Sequence, residues 1–274
     1  MMTTSICQFS SPVINLGPEA TIYDALLLMQ KKRIRRIVIA SNVSYEGIVG
    51  ERDIVRFLEA DNTDRTLGEI PLSEVKKETA TIFKDQKDQL YAGARRMILL
   101  NTSSVVIVDE NHHSVGIITK ADLAKNFSSH YQGRYKAKDY MTRKVITCRK
   151  KDSLYFALKT MMNHEIGRLV VTNNNGTAIG IITYKTFLRN NDYFRLDKQR
   201  KARDYFLPAK AILVEELMET QLLTVEPDDV LSKATRIMAE YNISGVLVVD
   251  KQDNLSGIIS LSNITEIYGE NFQS

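Results

Sequence analysis

The sequence predicts an α+β protein, α/β-like within each unit, made of four strand–helix–strand–strand–helix units taken in pairs. Three observations predict it. A four-fold repeat runs through the chain in constant register. Each copy has apolar residues at helical spacing, followed by two short β-branched runs. One copy alone is too small to bury its sheet, so the copies must pair.

The elements follow in order. Each unit opens on a short Val/Ile/Thr strand: PVINL, TATIF, KVITC and LLTVE. The first helices lie in TIYDALLLMQKKRIRRIVI (21–39), QLYAGARRMILLNTSSVVIV (89–108), SLYFALKTMMNHEIGRLVVT (153–172) and VLSKATRIMAEYNISGVLVV (230–249). A small residue recurs at Ala25, Gly93, Ala157 and Ala234, and a methionine follows four residues later at Met29, Met97, Met161 and Met238. The small residue lets the helix approach a sheet, and the methionine fills the core beside it. The middle strands RIVIA, SVVIV, RLVVT and GVLVV come next, and turn-rich stretches separate them from glycine-led strands at Gly47, Gly116, Gly180 and Gly257. Each unit closes on a second helix: ERDIVRFLE, KADLAKNF, YKTFLRN and LSNITEIYG.

Length and composition agree with this plan. The 274 residues suit about two domains. Hydrophobic residues at 43% and charged residues at 26% mark an ordinary globular chain. The formal net charge of +4 is too mild to signal nucleic-acid binding by itself. Cys7 and Cys148 cannot build a disulfide framework or a zinc site alone, and Cys148 reads as a small buried hydrophobe. Of the four histidines, His112 and His113 fall in a strand–strand turn without an acidic or cysteine partner at ligand spacing, so no metal is expected. No nucleophile, zinc-protease or phosphate-loop motif occurs, which argues against an enzyme. No apolar run approaches the ~20 residues that span a bilayer, so a cytoplasmic chain without membrane contact is expected.

At the end of each third strand a residue pair stands three apart: Gly50 and Asp53, Thr119 and Asp122, Thr183 and Thr186, Ser260 and Asn263. A hydroxyl followed by such an acid is a helix N-terminal capping pattern. The same turn favours an anion, and a carboxylate there can accept from both hydroxyls of a ribose. Only the second copy has both hydroxyl and acid.

The unit ending in G-h-h-[ST]-x-x-D resembles the CBS domain, and two such units resemble a Bateman module. The resemblance covers nearly all of residues 11–270 and extends to the γ subunit of AMP-activated protein kinase and to stand-alone prokaryotic four-CBS proteins. It implies a first module over 1–130, with repeats at 11–59 and 72–128. It implies a second over 131–274, with repeats at 138–191 and 214–270 and an insertion at 192–213. It further implies AMP, ADP or ATP as a regulatory ligand in clefts between paired repeats. No catalytic cofactor is implied. The regulated protein partner is unidentified, and a homodimer fits the plan.

By the same resemblance, Asp122, Asp53 and Asn263 are ribose ligands, and Thr119 and Ser260 lie at the phosphate. Arg35 and Arg36 would serve the cleft of Thr119 and Asp122, and Arg168 the cleft of Ser260 and Asn263. Arginine suits the task because its planar fork binds phosphate oxygens in pairs. Thr81, Ile82, Ser104 and Val105 would neighbour the adenine. The alternative function is nucleic-acid binding through Arg195, Lys198, Arg200, Lys201 and Arg203, interleaved with Tyr193, Phe194, Tyr205 and Phe206.

Overall fold

The computed structural model describes residues 10–41, 44–77, 81–83, 89–190 and 212–270. Cys7 and the basic cluster at 195–203 lie outside the described residues. In chain order the elements are β1 (Asn15–Leu16), α1 (Ile22–Lys32), β2 (Arg36–Ser41), β3 (Ser44–Gly50) and α2 (Glu51–Ala60) for the first repeat. The second has a short α3 (Leu72–Val75), then β4 (Thr81–Phe83), α4 (Gln89–Leu99), β5 (Ser104–Val108), β6 (Ser114–Thr119) and α5 (Lys120–His130). The third has α6 (Ala137–Tyr140), β7 (Thr147–Arg149), α7 (Leu154–Asn163), β8 (Arg168–Thr172), β9 (Ala178–Thr183) and α8 (Tyr184–Arg189). The fourth has α9 (Val214–Leu217), β10 (Thr224–Val225), α10 (Leu231–Glu240), β11 (Gly245–Val249), β12 (Leu255–Ser260) and α11 (Leu261–Glu270).

Each repeat forms its own three-stranded sheet with the middle strand at the centre. The first strand pairs parallel to it, across a helical crossover, and the third pairs antiparallel through a tight turn. Even the irregularity repeats: the register shifts after Ile39, Ile107, Val171 and Val248. The predicted helix packing holds, since Ala25, Ala157, Ala234 and all four methionines are buried. A β-carbon on Gly93 would stand 3.3 Å from Val105, so helix and sheet are in close contact there.

The apolar side chains divide into layers. Val38, Ile48, Val106, Val108 and Ile117 pack the sheets of repeats one and two face to face. On the helical side, repeats one and three share one core, around Ile37, Ile54, Leu169 and Phe187. Repeats two and four share another, around Val105, Phe127, Val246 and Ile264. The modules therefore meet through their helices, with each repeat seated on one from the other module.

Three short helices knit the pairs together, α3 in the first and α6 and α9 in the second. The stretch from Ile70 into α3 leads into repeat two, yet Ile70 accepts from Ile22 and Leu72 donates to Ala20 at the start of α1 in repeat one. Likewise α6 leads into repeat three but docks on repeat four, where Ala137 donates to Asp229. Around α9, before repeat four, Val214 donates to Asp152 of repeat three. Among the described residues no helix is long and apolar enough to cross a membrane.

Candidate functional site

Strand register builds the site. It sets the first residue of each middle strand opposite the last of the third strand: Arg36 with Gly50, Ser104 with Thr119, Arg168 with Thr183, Gly245 with Ser260. The chain then turns at once into the second helix. The residue three positions on folds back and caps it in every repeat. The backbone N–H of Gly50 donates to Asp53 (3.0 Å), that of Thr119 to Asp122 (2.8 Å), that of Thr183 to Thr186 (3.2 Å) and that of Ser260 to Asn263 (2.8 Å). Capping thus tolerates Asp, Thr and Asn alike.

What separates the repeats is the second polar atom of that side chain. Capping occupies Oδ2 of Asp122, which also accepts from the Thr119 hydroxyl at 2.6 Å. Its Oδ1 instead faces across the cleft and accepts from the Ser11 hydroxyl at 3.1 Å. Asp53 offers its Oδ1 to the ammonium of Lys77 at 3.4 Å. Asn263 donates its amide to the Thr142 hydroxyl at 3.2 Å. Thr186 has no second atom to offer.

Ser11, Lys77 and Thr142 are equivalent positions. Each bridges backbone-to-backbone to the third strand of the partner repeat, at Ile117, Ile48 and Ile258, as Glu219 does at Ile181. Sequence reasoning missed them. The available signal was their constant place four or five residues before the first strand, but nothing local says that this stretch crosses to the neighbouring repeat.

The arginines divide between two tasks. Arg36 donates to the carbonyl of Ser103, the same oxygen that accepts from the Lys120 N–H at the start of α5. This brings its guanidinium to the cleft of Thr119 and Asp122. Burial and the neighbouring Arg35 charge push Arg36 down to about 10, against the pull of Asp53 and Asp122. Arg35 does not join it: it reaches repeat four and donates to the carbonyl of Asn242. Arg168 donates to the Ser244 hydroxyl in the cleft of Ser260 and Asn263. Burial, and then the charge of Arg35, push Arg168 down to about 9. Lys120, which follows Thr119 in the chain, sends its ammonium to the Ser262 hydroxyl of repeat four at 2.9 Å. Burial lowers its pKa as well.

The residues expected beside the adenine divide too. Ser104 is buried at the cleft, opposite Thr119. Ile82 and Val105 lie in the helix-side core of repeats two and four, and Thr81 pairs with Val106 at the sheet edge. Alternation explains this: Val106, not Val105, turns toward repeat one. Cys148 is buried, and burial pushes its thiol up to about 12.

Comparison with known proteins agrees with this architecture. Protein MJ1225 of Methanocaldococcus jannaschii is 24% identical over 272 residues, which is 93% of this chain and 95% of that one. Its crystal structure, described as that of a proposed archaeal homologue of g-AMPK, superposes with a TM-score of 0.81 at 22% identity, covering 97% of this chain and 100% of that one. A conserved protein from Pyrococcus horikoshii superposes with a TM-score of 0.64 at 19% identity, over 94% of this chain and 96% of that one. Protein MJ1404 of Methanocaldococcus jannaschii is 28% identical over 259 residues, 92% of this chain but 58% of that protein. The sequence pattern of the CBS domain matches residues 5–60, 137–192 and 214–270, and the intervening repeat has the same sheet topology. With four such repeats in two pairs, the chain belongs to the CBS-domain family.

Proposed function

We propose that this chain is a non-catalytic regulatory protein that binds adenine nucleotides, AMP, ADP or ATP, between paired repeats and signals their level to a protein partner. The observation that carries this reading is the cleft between repeats one and two. A carboxylate oxygen left over from capping, Asp122 Oδ1, stands there with the N-terminus of an eleven-residue helix and the half-buried guanidinium of Arg36. The carboxylate suits the two hydroxyls of a ribose, and the helix end and arginine suit a phosphate. Arg36 donates to a neutral carbonyl, that of Ser103, which a phosphate oxygen outcompetes because the bond becomes charge-assisted at both ends. Arg168 with Ser260 and Asn263 forms a second cleft of the same plan, with an amide in place of the carboxylate.

Calorimetry with AMP and adenosine tests the reading, alongside mass spectrometry of any ligand released from the purified protein. Asp122→Ala removes a charged acceptor worth ~1.5–3 kcal/mol, a loss of roughly ten-fold or more in AMP affinity. Arg36→Ala is expected to weaken AMP far more than adenosine, which has no phosphate. Unchanged AMP binding in the Asp122 variant, or equal losses for AMP and adenosine in the Arg36 variant, would refute it.

A further inference from the structure

Four equivalent residues mark the seam between the modules. Arg33, Asn101, Glu165 and Asn242 each lie three positions before a middle strand, and all have left-handed backbone, with φ of 54°, 46°, 54° and 50°. They meet diagonally. The Asn242 amide donates to the Arg33 carbonyl at 2.8 Å, joining repeats four and one. The Asn101 amide donates to the Glu165 carboxylate at 2.8 Å, joining repeats two and three.

The stretch 242–245 is thereby held from both modules. Arg35 of the first module donates to the carbonyl of Asn242, and Arg168 of the second donates to the hydroxyl of Ser244, two residues on. Two guanidinium groups thus sit on one short loop, each bonded to a neutral oxygen. Among the described residues, Arg168 forms no ion pair with a carboxylate. Among the described residues, the carboxylate acting on Arg35 is Glu51, whose own ionisation is disfavoured by burial. Arg36 and Arg168 both feel the Arg35 charge, one in each module.

We propose that the two clefts share Arg35, so that an anion filling one cleft weakens anion binding in the other. Sharing of this kind rests on the nucleotide reading above for the identity of the anion. A phosphate beside Arg36 lowers the positive potential around Arg35 and draws its guanidinium off Asn242. The cleft of Arg168 then loses part of the field that attracts a second phosphate. Linkage makes the effect reciprocal: a phosphate beside Arg168 weakens the first cleft by the same factor.

Calorimetric titration of the full chain with AMP reads the coupling. The wild type is expected to bind in two unequal steps, the second about five-fold or more weaker, within the usual range of coupling between sites. Asp122→Ala removes the first cleft, and the remaining one should then bind AMP more tightly than the second step of the wild type. Arg35→Gln should bring the two steps together. Equal, independent sites in the wild type, or no change of the gap in Arg35→Gln, would overturn the coupling while leaving nucleotide binding intact. If AMP binds nowhere, the nucleotide reading has failed, and the same titrations with pyrophosphate decide the coupling. A double-mutant cycle of Arg35→Gln and Arg168→Gln in urea unfolding supplies a ligand-free readout. The two charges must interact unfavourably there, and additive effects sink the proposal whatever the ligand.

Discussion

The guanidinium of Arg168 stands over the α-carbon of Gly245: a β-carbon on Gly245 would lie 1.6 Å from its Nη1 atom. The arginine of repeat three therefore depends on the missing side chain of repeat four. Gly245→Ala is expected to drive Arg168 out of its cleft, at an overpacking cost of ~1–3 kcal/mol. Urea unfolding measures the cost, and Arg168→Ala in the same chain should relieve part of it. A fully tolerated alanine would show that Arg168 does not stand there.

Arg168 also sets a pH dependence. Its folded value, about 9, lies below that of an unfolded arginine, so the folded state binds fewer protons between the two values. Stability therefore rises with pH across that window, and the penalty of the buried charge is fully present below pH 9. Arg168→Met is accordingly expected to stabilise the chain at pH 7, on the order of 1 kcal/mol. AMP affinity in the Arg168 cleft should fall as pH climbs through about 9, while the Arg36 cleft holds to about 10. Titrations at pH 7, 9 and 10 separate the two.

Lys77 occupies the oxygen of Asp53 that would otherwise face a ligand. The pair is partly exposed and contributes less than ~1 kcal/mol to stability. Lys77→Ala should leave thermal stability nearly unchanged and strengthen adenosine binding in the first repeat. No gain in adenosine binding would show that Asp53 serves the helix cap alone.

Tyr268 of repeat four donates its hydroxyl to the buried amide oxygen of Asn126 in repeat two. Tyr268→Phe leaves that oxygen unpaired, an expected loss of ~1–3 kcal/mol by denaturant unfolding. Asn126→Leu in the same background should recover part of it, because the orphaned oxygen is then gone.

The repeats were legible because their signals are local. Helical spacing around Ala25, Gly93, Ala157 and Ala234 and the glycine-led strands each lie within one unit. The capping role of Asp122 was legible for the same reason. Which face of a strand meets which neighbour was not: all five residues of Ser104–Val108 are buried, so their hydrophobicity does not distinguish the two sides. Ile82 and Val105 accordingly went to the helix-side core. Arg35 and Ser11 act on residues 207 and 111 positions away, a relation only the packed chain defines.

The crossing of α3, α6 and α9 has a consequence for ancestry. Each of these helices precedes one repeat and completes its neighbour, so repeat one, three or four alone would lack the short helix that closes its own first helix. Excising a single unit strands one such helix and orphans the start of another. Duplicating or deleting the second pair as a whole keeps α6 and α9 with the helices they close, whereas a cut between its two repeats separates them.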